Sequence, residues 1–261
     1  MRLEVISHEP ARRAKSNPIL FVHGMWQGAW AWEKYFLPYF SDQGYTAQAL
    51  SLRGHGKSEC AGSIRWVGLK DYVADVMQVA EKFATEPILI GHSMGGLIVQ
   101  KYLEIKTPPA AVLLASAPPS GLLSSTIAFV KRRPLAFLKS TLTLSPEPLI
   151  ETPNLYREMF FSDGLSESCL QAYFENVKPE SYRVLLDMIG LDLPRAKQSA
   201  TPVLVIGATR DQSVLPSTYA ITAKTYQTSP IMFEMAHNMM LEADWLLVAE
   251  RILSWLREQN L

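Results

Sequence analysis

Pro87-Ile88-Leu89-Ile90-Gly91-His92-Ser93-Met94-Gly95-Gly96-Leu97 is the stretch whose reading decides the fold. An apolar run enters Gly-x-Ser-x-Gly and continues directly into an amphipathic segment, so the order is strand, sharp turn, helix. Gly91 and Gly95 let neighbouring backbone pass a strained turn without a Cβ collision. The Ser93 hydroxyl then stands above the strand, at a helix N-terminus whose amides can stabilise developing negative charge. A glycine-rich turn with an incidental serine would lack these two flanks.

Outward from this stretch, short apolar runs alternate with longer amphipathic ones, the pattern of a mostly parallel sheet covered by helices. Strands are predicted at Leu3–Ser7, Ile19–Val22, Tyr45–Leu50, Ile88–Ile90, Ala110–Ala115, Val203–Ile206 and Ile231–Phe233. Four of these are continuously apolar, as strands buried on both faces should be. Helical spacing appears at Asp71–Ala84, Leu97–Ile105 and Leu246–Leu256. From 120 to 194 the spacing is helical throughout and is cut by Pro134, Pro146, Pro148, Pro153 and Pro179. The expected organisation is an α/β core domain over 1–119 and 195–261, with 120–194 inserted as a helical cap.

A serine hydroxyl is a weak nucleophile at neutral pH, so a base and a carboxylate to orient it are needed. Of five histidines, His8 lies near the terminus, His23 in the first loop, His55 in a glycine-rich turn and His92 beside the serine, where it is expected to turn away into packing. His237 follows the last strand and is expected to be the base, because loops at the carboxyl ends of parallel strands converge on one crevice. Asp211 sits in the loop after the buried strand Val203–Ile206 and is the best-placed acid. The order Ser93, Asp211, His237 goes with the nucleophile elbow. Oxyanion donors are expected from the backbone N–H of Met94, after the serine, and of Met25, after the His23-Gly24 turn. Apolar side chains including Trp26, Phe129, Phe137, Phe160 and Met239 are candidate pocket walls.

Composition narrows the class. The 261 residues are 48% hydrophobic and 19% charged, enough for a sizeable core. Lys plus Arg and Asp plus Glu both number 25, a balance that offers no field for nucleic acid. Cys60 and Cys169 fit neither a disulfide framework nor a zinc site, and no metal or cofactor is expected. No apolar run reaches the length of a membrane span and the N-terminus is interrupted by Glu4, His8 and Glu9, so a cytoplasmic protein without integral membrane association is expected.

These residues resemble the α/β-hydrolase superfamily. The likeness lies in His23-Gly24, Arg53-Gly54-His55-Gly56-Lys57-Ser58, Gly91-His92-Ser93-Met94-Gly95-Gly96, Asp211 and His237. The sequence looks like the lysophospholipase, monoacylglycerol-lipase and carboxylesterase branch. The resemblance implies an acyl-enzyme on Ser93, a relay through His237 and Asp211, oxyanion donors at Met25 and Met94, a small-molecule ester substrate with an apolar part, and no cofactor. The 120–194 segment matches no motif of one subfamily. Thioester or carbon–carbon bond hydrolysis, perhydrolysis, acyl transfer and a non-catalytic receptor on the same fold therefore remain alternatives.

Overall fold

The computed structural model describes residues 1–11, 15–195 and 200–261. The strands are β1 (Val5–His8), β2 (Ile19–Val22), β3 (Ala47–Leu50), β4 (Ile88–His92), β5 (Ala111–Leu114), β6 (Val203–Ala208) and β7 (Ile231–Phe233). All seven predicted strands are present, with ends shifted by up to two residues. They form one sheet in the order β1-β3-β2-β4-β5-β6-β7. Only β1 runs antiparallel, against β3; the remaining pairs are parallel. Every residue of β2, β4, β5 and β6 is buried, which is why these strands lack the apolar–polar alternation of a one-sided sheet.

Successive residues of β2 feed opposite faces. Ile19 and Phe21 join one apolar cluster, and Leu20 and Val22 the other. The first face is covered by α1 (Trp30–Glu33), α2 (Phe36–Asp42) and, further along the chain, the C-terminal helix; Phe21 meets Trp32 at 4.9 Å and Phe40 at 5.7 Å. The second face is covered by α3 (Leu69–Ala80) and α4 (Met94–Tyr102). In α3, Leu69, Val73, Val76 and Ala80 recur at the spacing of one helical face and are buried. Each fully buried valine or leucine contributes roughly 1.5–3 kcal/mol relative to exposure.

Between β5 and β6 the described chain is helical: α5 (Leu123–Arg132), α6 (Pro134–Thr143), α7 (Pro153–Phe160), α8 (Glu167–Glu175) and α9 (Tyr182–Leu186), with a π turn after α9. Pro134 and Pro153 stand at first helical positions, where the missing N–H costs nothing. The chain closes with α10 (Thr218–Thr225) and α11 (Trp245–Glu258). The expected core segments 1–119 and 195–261 include residues 12–14 and 196–199, which lie outside the described residues. Among the described residues no helix is long and apolar enough to cross a membrane.

From β2 the chain moves to β3 on one side and then returns to β4 on the other. The loops leaving β2 and β4 therefore diverge above adjacent strands and leave a crevice between them, the place where an open parallel sheet accepts a ligand.

Candidate active site

Ser93 follows β4 with φ 53° and ψ −116°, a conformation that L-residues rarely adopt. The turn is held on both sides: Ser93 N–H donates to the Leu114 carbonyl at 3.0 Å, and its own carbonyl accepts from the Gly96 and Ala117 amides. A Cβ at position 91 would strike the Gly95 carbonyl, and one at 95 would strike the Val22 carbonyl. Both glycines are therefore required by close backbone approach. The serine is half-buried and sits at the start of α4.

His237 and Asp211 come from the loops after β7 and β6 and meet with Nδ1 to Oδ2 at 2.6 Å. Both are buried. Asp211 Oδ1 accepts the Ser213 and Val214 amides at 2.7 and 2.8 Å, and Oδ2 also accepts the Tyr219 hydroxyl. All four neighbours are donors, an environment that suits a carboxylate. With Nδ1–H committed to Asp211, the His237 tautomer leaves Nε2 as an acceptor, and that atom has no partner among the described residues. Ser93 and His237 line the same cleft, and no hydrogen bond joins the serine hydroxyl to Nε2.

The loop after β2 is set by His23. Leu52 N–H donates to its Nε2 at 3.0 Å, so the ring's proton is on Nδ1 and donates to the Gly24 carbonyl at 2.7 Å. Burial, and then the nearby His55 charge, lower its pKa to about 3, so the ring is neutral. The Gly24 carbonyl and the Met25 N–H belong to one peptide plane and point in opposite directions. Holding the carbonyl thus fixes the direction of the Met25 amide. Neither the Met25 nor the Met94 amide donates to a protein acceptor among the described residues.

His92 is buried, but it does not turn away from the site as the sequence suggested. Its ring lies 4.8 Å from that of His237, with Nε2 at 3.1 Å from the His237 carbonyl. Nδ1 is 3.2 Å from Gln27 Oε1, which also accepts the Gly24 amide at 3.0 Å, while Gln27 Nε2 donates to Asn238 Oδ1 at 3.1 Å. Burial, then His237, hold His92 well below the usual imidazole range. His92 and Gln27 thus tie the loop after β2 to the loop that carries His237. Position beside the motif was the only signal in the sequence, and Gln27 and Asn238 carried none.

The cleft encloses ≈ 770 Å³ of empty space, counting the part open to solvent. Its walls include the candidate wall residues Trp26, Phe129, Phe137 and Phe160, together with Met25, Leu122, Tyr156, Met159 and Val214. Phe160 stacks obliquely between Trp26 and His237 at 5.8 and 5.6 Å. Met239, expected as a wall, does not line it; the side chain is fully buried in the core, because the 3-10 turn Met239–Leu241 folds under the site. Met94 likewise sends its side chain into the core beneath α4. Among the described residues no lysine, arginine, aspartate or glutamate lines the cleft.

The family model of the Alpha/beta hydrolase family matches residues 19–251, and the chain belongs to that family. A search of curated protein sequences gives no match. Among solved structures the chain is similar to a monoacylglycerol lipase from Paleococcus ferrophilus, at 19% identity and TM-score 0.76, covering 99% of this chain and 100% of that one. It is also similar to an esterase from Exiguobacterium antarcticum, at 18% identity and TM-score 0.76, covering 98% and 95%. An enol-lactonase from Burkholderia xenovorans matches at 17% identity and TM-score 0.76, covering 98% and 96%. At these identities the likeness is one of fold.

Proposed function

We propose that this hydrolase is a serine esterase that cleaves carboxylic esters with an apolar acyl or alcohol part. The observation that carries the reading is the pairing of Ser93, in its strained turn at the start of α4, with a His237 whose Nδ1 is spent on Asp211 and whose Nε2 is unpartnered in the same cleft. Ser93 Oγ attacks the ester carbonyl while His237 Nε2 takes its proton, and the oxyanion accepts from the Met25 and Met94 amides. The alcohol leaves with the proton from His237. A water activated by His237 then attacks the acyl-enzyme, releasing the acid and restoring the serine. The missing Ser93–His237 hydrogen bond is compatible with this sequence, since such contacts are often long before substrate binds.

The uncharged cleft walls support an apolar, medium-length acyl group, and the helical segment 120–194 serves as a cap over it. A fluorophosphonate probe should label the protein, and peptide mapping should locate the adduct on Ser93. Hydrolysis of p-nitrophenyl esters should rise from short to medium chains. Labelling that survives Ser93→Ala, or better turnover of highly charged esters, would refute the proposal.

A further inference from the structure

Glu180 lies between α8 and α9 in the helical insertion, and its carboxylate is buried. Its four hydrogen-bonding neighbours include three from the core domain. Oε1 accepts the Tyr72 hydroxyl at 2.7 Å, from α3, and the Ser181 amide at 2.7 Å. Oε2 accepts the Trp26 amide at 3.2 Å and pairs with His55 Nε2 at 3.1 Å. Two residues earlier, the Lys178 amide donates to the Trp26 carbonyl at 3.1 Å. Both backbone groups of Trp26 are therefore held by one short stretch of the insertion. Trp26 adopts φ 62°, a left-handed conformation that costs a bulky residue free energy and persists only where its surroundings enforce it. It directly follows Met25, whose preceding carbonyl is fixed by His23.

We propose that Glu180 is a positioning residue for the oxyanion hole: through the Trp26 backbone it sets the angle at which the Met25 N–H faces the reacting carbonyl. The inference rests on the serine-esterase reading and adds to it. His23 fixes the near side of Met25 and Glu180 fixes the far side, so the donor's direction depends on contacts from both the sheet and the insertion. A carboxylate suits the role because both oxygens accept; an amide at 180 would present a donor to a site surrounded by donors. The insertion is thereby part of the catalytic geometry as well as a wall of the cleft.

The test compares the wild-type protein with Glu180→Gln and Tyr72→Phe, using p-nitrophenyl ester kinetics and inhibition by an alkyl boronic acid, which forms a tetrahedral adduct on Ser93. Glu180→Gln is expected to lower kcat about 10–100-fold, a fraction of the roughly 10²–10³ carried by a complete oxyanion donor. It should leave KM within about threefold and weaken boronate inhibition in parallel with kcat/KM. Tyr72→Phe removes a support of Glu180 that does not touch Trp26; it should lower Tm while kcat stays within about twofold, because only the Oε2 side reaches the loop. Unchanged kcat and boronate affinity in Glu180→Gln, or an equal kcat loss in Tyr72→Phe, would overturn the proposal while leaving the esterase reading intact.

Hydrogen exchange on the wild-type protein covers a Glu180→Gln variant that does not fold. On boronate binding, peptides spanning 24–28 and 177–181 should gain protection together, and protection confined to 24–28 would overturn the coupling. A wild-type protein that neither reacts with fluorophosphonate nor hydrolyses esters would overturn both readings.

Discussion

The central strands and the first two helices of the insertion bury opposite kinds of residue. Every position of β2, β4, β5 and β6 is buried and most are aliphatic, whereas α5 and α6 bury only Ser125 and Ser140 and leave Leu135 79% and Leu142 76% exposed. The strands are fixed by two-sided packing and a hydrogen-bond ladder, which leaves little room for a side chain to change. Helices α5 and α6 are fixed by a few polar contacts, such as the Leu215 amide on Ser125 Oγ at 3.1 Å, and by side chains around a cleft. On the proposed reading, the groups that make and break bonds stand on loops after the strands, and most of the apolar walls that would choose the substrate come from the 120–194 segment. Glu180 and its contact with Trp26 are where the two regimes meet.

This contrast can be broken at several strengths. Asp211→Asn should lower kcat on the order of 10⁴-fold with little change in KM, because the amide favours the wrong His237 tautomer; steady-state kinetics on a p-nitrophenyl ester measure it. Phe21→Ala, in the strand layer, should cost roughly 3–5 kcal/mol of unfolding free energy, read from urea denaturation. A loss under 1 kcal/mol would mean that the sheet is no stiffer than the insertion. Phe137→Ala, in a cleft wall, should lower kcat/KM for medium-chain esters about tenfold relative to short ones, the scale of a few buried methylenes, and leave stability nearly unchanged. Leu135→Ser on the exposed face should change stability by no more than about 0.5 kcal/mol.

The boundary between the two regions has its own pH dependence. Burial opposes the charged His55 imidazole, but the Glu180 carboxylate outweighs it, so the His55 pKa is raised. Burial likewise opposes the Glu180 charge, and His55 outweighs it, so the Glu180 pKa is lowered. Asp75 also favours the His55 charge, and Tyr72 donates to Glu180; His23, facing His55, is the neutral neighbour. The raised histidine contributes stability that is full below about pH 6.5 and is lost as pH rises through its folded value. The lowered carboxylate contributes stability that is present above the ordinary glutamate range and is lost as pH falls through its folded value. Thermal melts of wild type and His55→Gln between pH 5 and 9 should therefore converge as pH rises; a constant gap would show that the pair does not titrate with folding.

Much of the sheet was legible because its four fully buried strands, β2, β4, β5 and β6, are short apolar runs whose local pattern matches their burial. Helices α1, α2 and α10 escaped the periodicity reading. The first two are short, with Pro38 inside the first turn of α2, and α10 has little amphipathic contrast, so tertiary packing more than local pattern holds them. In the site, Ser93, Asp211 and His237 stood out by their places at the carboxyl ends of strands. Gln27, Tyr219, Asn238 and Glu180 did not, because a lone polar residue without a motif looks the same in sequence whether it meets solvent or a buried partner.

The amino-acid sequence by itself determined the succession of strands along the chain, the glycines that permit the turn at Ser93, and the absence of charge imbalance, because each depends on neighbouring residues or on counting. Tertiary structure alone decided which way His92 faces, that Met239 is core, and that Glu180 reaches Trp26 across 154 positions of chain. Those outcomes depend on where a buried donor finds its acceptor, and that distance is set by the fold as a whole.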